Sequence, residues 1–223
     1  MTKQEVIITE SKVKMADPTA LGVFGLAMVT FVAATQKLGW TSGVEYVLPW
    51  AFFLGALAQI WASLIDFKNN NYFGAIALGI YGLFWMGVAA HWTISLGWVG
   101  ELSANADPRQ LGFAFFGYLF FSLFITVAAL EVHTVMGSIL VLIDILFLSL
   151  GLATLDIQHE LFATIAAYTE FSISLLGFYL CGATFVNNFF GRTVLSLGKP
   201  LGLIAKGPIE VNNKKVVKTA QNI

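Results

Sequence analysis

Charged residues are scarce in this sequence. Asp, Glu, Lys and Arg make up 11% of 223 residues, whereas a soluble domain carries roughly a quarter. Hydrophobic residues reach 57%, and the mean hydropathy is +0.78. A protein in water cannot bury so large an apolar share behind so few charges, so a soluble globular protein is excluded. The lipid bilayer is the solvent that fits this composition.

Cysteine and proline are equally sparse. The one cysteine, Cys181, excludes an intramolecular disulfide. It lies in an apolar stretch, which favours an inert buried thiol over a reactive one. None of the five prolines lies at the centre of an apolar run, so the sequence gives no sign of the broken helices that many carriers use.

The residues and motifs of several functional classes are missing. His91, His133 and His159 are far apart in the sequence, so no metal site is expected. There is no phosphate-binding loop, zinc-protease helix or nucleophile elbow, and we therefore expect neither an enzyme nor a cofactor. The net charge of −1 gives no reason to expect a nucleic-acid partner.

Long apolar runs are what the sequence has in abundance. A membrane-spanning helix needs about 20 mostly apolar residues, and six segments qualify. The sequence therefore predicts an all-α membrane protein, a bundle of six transmembrane helices. The predicted spans are Pro18–Thr35, Tyr46–Ile65, Tyr72–Leu96, Leu111–Leu130, Thr134–Leu155 and Phe162–Phe185.

Lys and Arg predict the orientation of the bundle. With both termini in the cytoplasm, ten of these residues lie inside, and only Lys37 and Arg109 lie outside. The predicted domains are a polar N-terminal tail over 1–16, a transmembrane domain over 17–190 and a solvated or disordered C-terminal tail over 191–223. We expect a multi-pass protein of the plasma (inner) membrane with both termini cytoplasmic.

Polar and small residues form stripes on three of the predicted helices. Helical spacing aligns members of each stripe on one face, and such a face in lipid must contact protein or water. Each stripe could be a hydrogen-bonded contact between helices, but three of them indicate a central polar path. The stripes are Gly55, Gln59 and Ser63; Ser122 and Thr126; and Glu170, Ser174, Gly177, Cys181 and Thr184.

Two carboxyl groups are predicted to lie deep in the membrane. Asp144 is near the middle of the fifth span, and Glu170 is about a third of the way into the sixth. A charge at that depth is costly, so such groups face a cavity, pair with a cation or stay protonated. Because their spans follow each other with a short loop between them, we hypothesise that the two acids together make passage along the polar path proton-dependent. The alternative is a structural hydrogen bond by each neutral acid.

Short motifs occur in a fixed order along the chain. Residues 17–22 read DPTALG, residues 58–62 read AQIWA, residues 72–74 read YFG, residues 81–85 read YGLFW and residues 190–195 read FGRTVL. In order and separation they resemble the acetate uptake transporter family, also called the succinate–acetate permeases. Pro18, Leu21 and Gly22 match the family's Asn-Pro-x-x-Leu-Gly signature, and Asp17 stands in place of its Asn.

The resemblance implies a fold and a function. It implies a six-helix protomer with its own pore, a homohexamer, and uptake of acetate and related small carboxylates together with protons, with succinate as a further candidate. It also implies an apolar neck, whose three positions fall here on Leu26, Tyr81 and Ile143. Leu26 departs from the family's aromatic residue. The family's Gln in the second span is Gln59.

The leading hypothesis is a pore for small monocarboxylates, either channel-like or proton-linked. An apolar neck rejects hydrated ions, and a few polar groups receive the solute. The residues expected on that pathway are Gln59, Ser63, Tyr81, Leu26, Ile143, Ser174 and Gly177. Two alternatives remain open: a channel for urea or other small neutral solutes, and a membrane sensor or scaffold that transports nothing.

Overall fold

Six long helices account for most of the chain in the computed structural model, which describes residues 15–100, 106–205 and 207. Each of the six is long and apolar enough to cross a membrane. They are α1 (Thr19–Lys37), α2 (Leu48–Asn69), α3 (Tyr72–Ser95), α4 (Arg109–Leu130), α5 (Thr134–Thr154) and α6 (His159–Phe190).

The six predicted spans are confirmed, with differences at their ends. α1 begins at Thr19, one residue later than predicted, although the Asp17 carboxylate still accepts a hydrogen bond from the Thr19 N–H at 2.9 Å. α6 is the largest departure, because its 32 residues extend the predicted span at both ends. α2 continues to Asn69, so Asp66, which the hydropathy pattern assigned to a loop, is helical and buried.

Glycines bring α1 close to its neighbours. A Cβ on Gly22 would come within 3.0 Å of side-chain atoms of Ala62 in α2 and Leu78 in α3. A Cβ on Gly25 would collide with the main-chain carbonyl oxygen of Leu54. Small residues permit such approaches where no water drives helices together. The predicted motif residue Gly22 therefore has a packing role.

α2 is not a uniform α-helix. Residues Ala51–Ala58 form a π-helical segment, and Gln59 is the first residue after it. A π-helical segment arises where an α-helix accommodates one extra residue, and such segments are frequent at functional sites. Here the segment brings the Gly55 carbonyl oxygen within 2.7 Å of the Gln59 side-chain nitrogen, which donates a hydrogen bond to it.

A cluster of aromatic rings fills the bundle between α3, α4 and α5. Phe147 is at its centre and is buried. Its ring centroid lies 5.0 Å from that of Phe84, 5.8 Å from that of Tyr118 and 6.2 Å from that of Tyr81. Rings at these separations contribute packing beyond their buried area. We call Phe84, Phe115, Tyr118 and Phe147 the aromatic cluster.

The chain after α6 is held against the bundle over part of its length. The Glu131 carboxylate accepts hydrogen bonds from the N–H groups of Gly202, Leu203 and Ile204 at 2.7–3.1 Å. The Tyr179 hydroxyl donates to the Ser196 carbonyl oxygen at 2.6 Å. Residues 191–205 are thus tied to the bundle by these hydrogen bonds, although nearly all of them are exposed, and the predicted division into tails and transmembrane domain stays a prediction. Residues 1–14, 206 and 208–223 of the predicted tails lie outside the described residues.

Candidate functional site

A cavity of about 460 Å³ enters the bundle from one end. This end, which we call the terminal face, contains the start of α1 and the end of α6. The cavity runs between α1, α3, α5 and α6, with Gln59 as the contribution of α2. Its apolar wall includes Val23, Phe73, Ala77, Leu78, Met136, Ile139, Leu140 and Leu180.

Three apolar or aromatic side chains lie at its deep end. Leu26, Tyr81 and Ile143 all line the cavity and are at least nine-tenths buried. Counted from the first residue of their helices, they lie about 10–14 Å below the terminal face at 1.5 Å per residue. The structure thus brings together, at similar depth on three helices, the residues that the family resemblance implied for a neck.

Gln59 places an amide beside this neck. It is fully buried and lines the cavity. Its Nε2 donates to Gly55, which fixes the orientation of the amide. Its Oε1 has no hydrogen-bond partner among the described residues. A buried carbonyl oxygen without a donor costs about 1–3 kcal/mol, so this atom favours a solute that brings an O–H or N–H group.

The Tyr81 hydroxyl is the second polar group at the neck. It lies 2.8 Å from the Ser122 hydroxyl of α4. Ser122 in turn donates to Asp144 Oδ1 at 2.5 Å, and Thr126 donates to Asp144 Oδ2 at 2.7 Å. A continuous hydrogen-bonded chain therefore joins a cavity-lining residue to a carboxylate behind it. We call Tyr81, Ser122, Asp144 and Thr126 the hydroxyl chain.

The mouth of the cavity is polar. Asp17 Oδ2 accepts a hydrogen bond from the Asn188 side chain at 2.9 Å, which ties the start of α1 to the end of α6. His133 lies just before α5 and accepts a hydrogen bond from Met136 N at its Nδ1. Burial lowers the pKa of the His133 imidazole, which favours the neutral form that can accept this bond.

Three predicted pathway residues lie away from the cavity, in contacts within or between helices. Ser63 donates to the Ala75 carbonyl oxygen at 2.6 Å and so joins α2 to α3. Ser174 donates to the Phe171 carbonyl oxygen of its own helix at 2.6 Å. A Cβ on Gly177 would lie 3.0 Å from that of Ala27 in α1. A polar stripe in the sequence therefore does not show which of its residues line the cavity and which contact another helix.

Asp144 and Glu170, for which the sequence suggested a joint role in proton dependence, bond to different helices. Asp144 bonds to α4, whereas Glu170 forms an ion pair with Lys37 of α1 at 2.8 Å. Neither carboxylate lines the cavity. Their helices are neighbours, but the two side chains leave their helices towards different partners. Only Asp144 is connected to the neck, through Ser122.

The sequence did not reveal two residues that line the cavity: Asn188 at the end of the last span, and Leu197 beyond it. It also placed Lys37, the partner of Glu170 outside the cavity, in a loop. The available signals for the Lys37–Glu170 ion pair were a lysine next to one predicted span and a carboxyl group within another. No signal marked Leu197, because its position follows from how the chain folds back after α6.

Comparison with known proteins gives consistent matches. The model of the GPR1/FUN34/yaaH family matches residues 2–198. The succinate-acetate/proton symporter SatP of Escherichia coli K12 is 27% identical over 187 residues, covering 83% of this chain and 97% of SatP. A yeast relative, ammonia transport outward protein 2 of Saccharomyces cerevisiae, is 30% identical over 148 residues, and the match spans about half of its length. A solved structure of the bacterial acetate channel SatP superposes with a TM-score of 0.76 at 27% identity, covering 83% of this chain and all of that one.

Proposed function

The chain belongs to the GPR1/FUN34/yaaH family, and on that premise we propose that it passes acetate and related small monocarboxylates across the membrane. It is a multi-pass membrane protein with six spanning helices. The cavity is large enough for a solute of a few heavy atoms, and its apolar wall disfavours fully hydrated ions. Proton linkage and uptake of succinate are the finer parts of this proposal.

One observation carries the proposal: apolar side chains and two polar groups line the same deep part of the cavity. Leu26, Tyr81 and Ile143 lie there at similar depth, together with Gln59. Acetic acid has one methyl group for the apolar side chains, one carbonyl oxygen and one O–H. The unpartnered Gln59 Oε1 is a matched acceptor for that O–H. This chemistry favours the undissociated acid, which also spares the neck the cost of a desolvated anion.

Small neutral solutes are the second candidate. An amide or urea N–H would satisfy Gln59 Oε1 as well as an acid O–H does. The relative named as an ammonia transport protein adds weight to a neutral solute. A sensor or scaffold without transport is the third candidate, and the cavity would then be a binding site without passage.

Liposome flux separates the three candidates. Purified protein is reconstituted, and entry of labelled acetate, urea and acetamide is followed with and without an inward proton gradient. We expect acetate entry above that of protein-free liposomes, increased by external acid. Urea entry without acetate entry would favour the neutral-solute channel, and absence of all flux would favour the sensor. Competitor acids of increasing size then give the upper limit of the neck.

Orientation and assembly complete the proposal. The Lys and Arg distribution supports a cytoplasmic terminal face, so the cavity would open towards the cytoplasm. α4 exposes large aromatic side chains, among them Phe113, Phe120 and Phe124, which suit lipid or a neighbouring protomer. We propose a homohexamer in the plasma membrane on the ground of family membership. The mass of the protein in detergent, measured by light scattering with correction for bound detergent, tests the number of protomers.

A further inference from the structure

The hydroxyl chain behind the neck has a direction, because each hydroxyl carries one proton. Ionised Asp144 can only accept hydrogen bonds, and both Ser122 and Thr126 donate to it. Ser122 has no second proton, so it can only accept from Tyr81 at 2.8 Å. The Tyr81 proton then points away from the cavity, and the phenol oxygen offers only lone pairs to a solute.

The direction reverses when Asp144 is protonated. The acid O–H donates to Ser122, Ser122 donates its own proton to the Tyr81 oxygen, and the Tyr81 O–H is released towards the cavity. One proton is added at Asp144. The Ser122 and Tyr81 hydroxyls keep their own protons and only rotate, so no covalent bond is broken. We infer that Asp144 is a positioning residue that, through Ser122, decides whether Tyr81 presents a hydrogen-bond donor or only an acceptor to the solute.

Among the described residues, those that surround Asp144 offer it hydroxyl groups and no cation. From α4 it faces Ser122 and Thr126, and through Ser122 it reaches Tyr81 of α3. In the part of the chain that the structure describes, the ion pairs are Lys37–Glu170 and Arg109–Asp107, so no cation lies within 4 Å of Asp144. α6 also packs against α5. Its buried carboxylate, Glu170, forms an ion pair with Lys37.

The consequence is a choice between two classes of solute. With the Tyr81 proton turned away, the neck presents two acceptors, Tyr81 Oη and Gln59 Oε1, which suit a neutral acid or an amide and repel a carboxylate. With the proton released, Tyr81 can donate to a carboxylate oxygen. This inference rests on the proposed function, since it concerns which form of the acid the same neck accepts.

Ser122→Ala is the central test. It removes the acceptor of the Tyr81 proton, so the hydroxyl is free to donate into the cavity whatever the state of Asp144. Because the carboxylate of the solute then meets a donor, the ratio of acetate to acetamide flux at neutral pH should rise about tenfold, a modest value for a hydrogen bond to a charged group. Asp144→Asn carries no charge and offers a donor as well as an acceptor, so it no longer obliges Ser122 to donate, and its flux ratio at the same neutral pH should rise too.

Two further variants keep the test specific. Thr126→Val removes the other partner of Asp144 but keeps Ser122 between Asp144 and Tyr81, so at neutral pH its flux ratio should rise much less than that of Ser122→Ala. In a Tyr81→Phe background, Ser122→Ala should have no effect, because the hydroxyl that it releases is missing. Equal shifts in Thr126→Val and Ser122→Ala, or an unchanged ratio in a folded Ser122→Ala protein, would overturn the inference.

An infrared measurement separates this inference from the proposed function. The C–O vibration of tyrosine reports whether its hydroxyl donates or accepts. The difference between the spectra of the wild type and Ser122→Ala at the same neutral pH should contain a tyrosine band, and that band should be absent when both proteins also carry Tyr81→Phe. If the band is present but acetate flux is not, the transport proposal fails and the inference stands. If acetate passes and the two spectra show no such band, the inference fails.

Discussion

Tyr81 combines two features at the residue scale, because it lines the cavity and its hydroxyl belongs to the hydroxyl chain. Tyr81→Ala removes both, whereas Tyr81→Phe keeps the ring. We expect Tyr81→Ala to admit larger acids such as lactate, and Tyr81→Phe to keep the wild-type size limit, because ring volume sets the width. Competition by acids of increasing size against labelled acetate measures this limit. An unchanged size limit in a folded Tyr81→Ala protein would show that the Tyr81 ring does not set the width of the pathway.

Gln59 differs from Ser63 although both lie on one predicted stripe. Gln59 lines the cavity with an unpartnered oxygen, whereas Ser63 joins α2 to α3. Gln59→Leu should lower acetate flux at least several-fold, since the solute loses its acceptor while the volume is kept.

Ser63→Ala is the matched control for Gln59→Leu. It should leave flux unchanged and cost about 0.6 kcal/mol of helix association, a usual value for such bonds in membranes. Flux and the elution profile from size-exclusion chromatography are the measurements. If Gln59→Leu disrupts the fold or the oligomer instead, the amide serves packing.

The Lys37–Glu170 pair has no route to the cavity, so we expect a structural effect from its loss. Lys37→Met leaves Glu170 buried without a cation and should lower stability by about 3 kcal/mol. The double variant Lys37→Met, Glu170→Gln should recover part of that loss, because no buried charge remains.

Thermal unfolding in detergent measures both effects. The double variant should also keep the wild-type flux of acetate, since neither side chain lines the cavity. A double variant that is as unstable as Lys37→Met would show that the loss of stability does not come from an unpaired charge on Glu170.

At the scale of the element, close helix contacts rest on individual glycines. Gly25→Ala would drive a Cβ into the Leu54 carbonyl oxygen, and overpacking of this kind costs about 1–3 kcal/mol. Gly87→Ala is the control, since Gly87 is exposed and a Cβ there meets nothing within 4 Å. The control should be neutral or more stable, because alanine is the better helix former. Thermal unfolding of the two variants side by side decides the matter, and equal stabilities would contradict the contact.

The helices themselves were predictable, and the partners of their polar residues were not. Hydropathy located all six spans because each depends on local composition alone. The neck residues Leu26, Tyr81 and Ile143 came from family resemblance, since nothing in their spacing indicates that they meet. The separation of Asp144 from Glu170 depends on how α4, α5 and α6 are rotated about their axes. A sequence stripe gives a face of a helix, but not the neighbour that the face meets.

The whole molecule has a polarity that can be tested. Ten of the twelve Lys and Arg residues are expected on the cytoplasmic side. With Cys181 replaced by serine, a new cysteine at Ser11 or Asn212, both outside the described residues, should resist a membrane-impermeant thiol reagent until cells are lysed. A cysteine at Trp98, which is exposed at the other end of the bundle, is the matched control and should react in intact cells. Labelling at Ser11 or Asn212 without lysis would reverse the orientation.

The π-helical segment of α2 has a consequence for the alignment of this chain with its relatives. Residues Ala51–Ala58 hold one residue more than an α-helix of the same length would. A relative that spans the same distance with a plain α-helix should align with a one-residue gap there, and nowhere else in this span. Residues on either side of the gap would keep their faces, because the π-helical segment accommodates the extra residue locally. The glutamine of such a relative would instead follow a regular α-helical turn, so the gap is a marker, readable from sequence alone, for a different setting of the amide that Gln59 directs to the Gly55 carbonyl oxygen here.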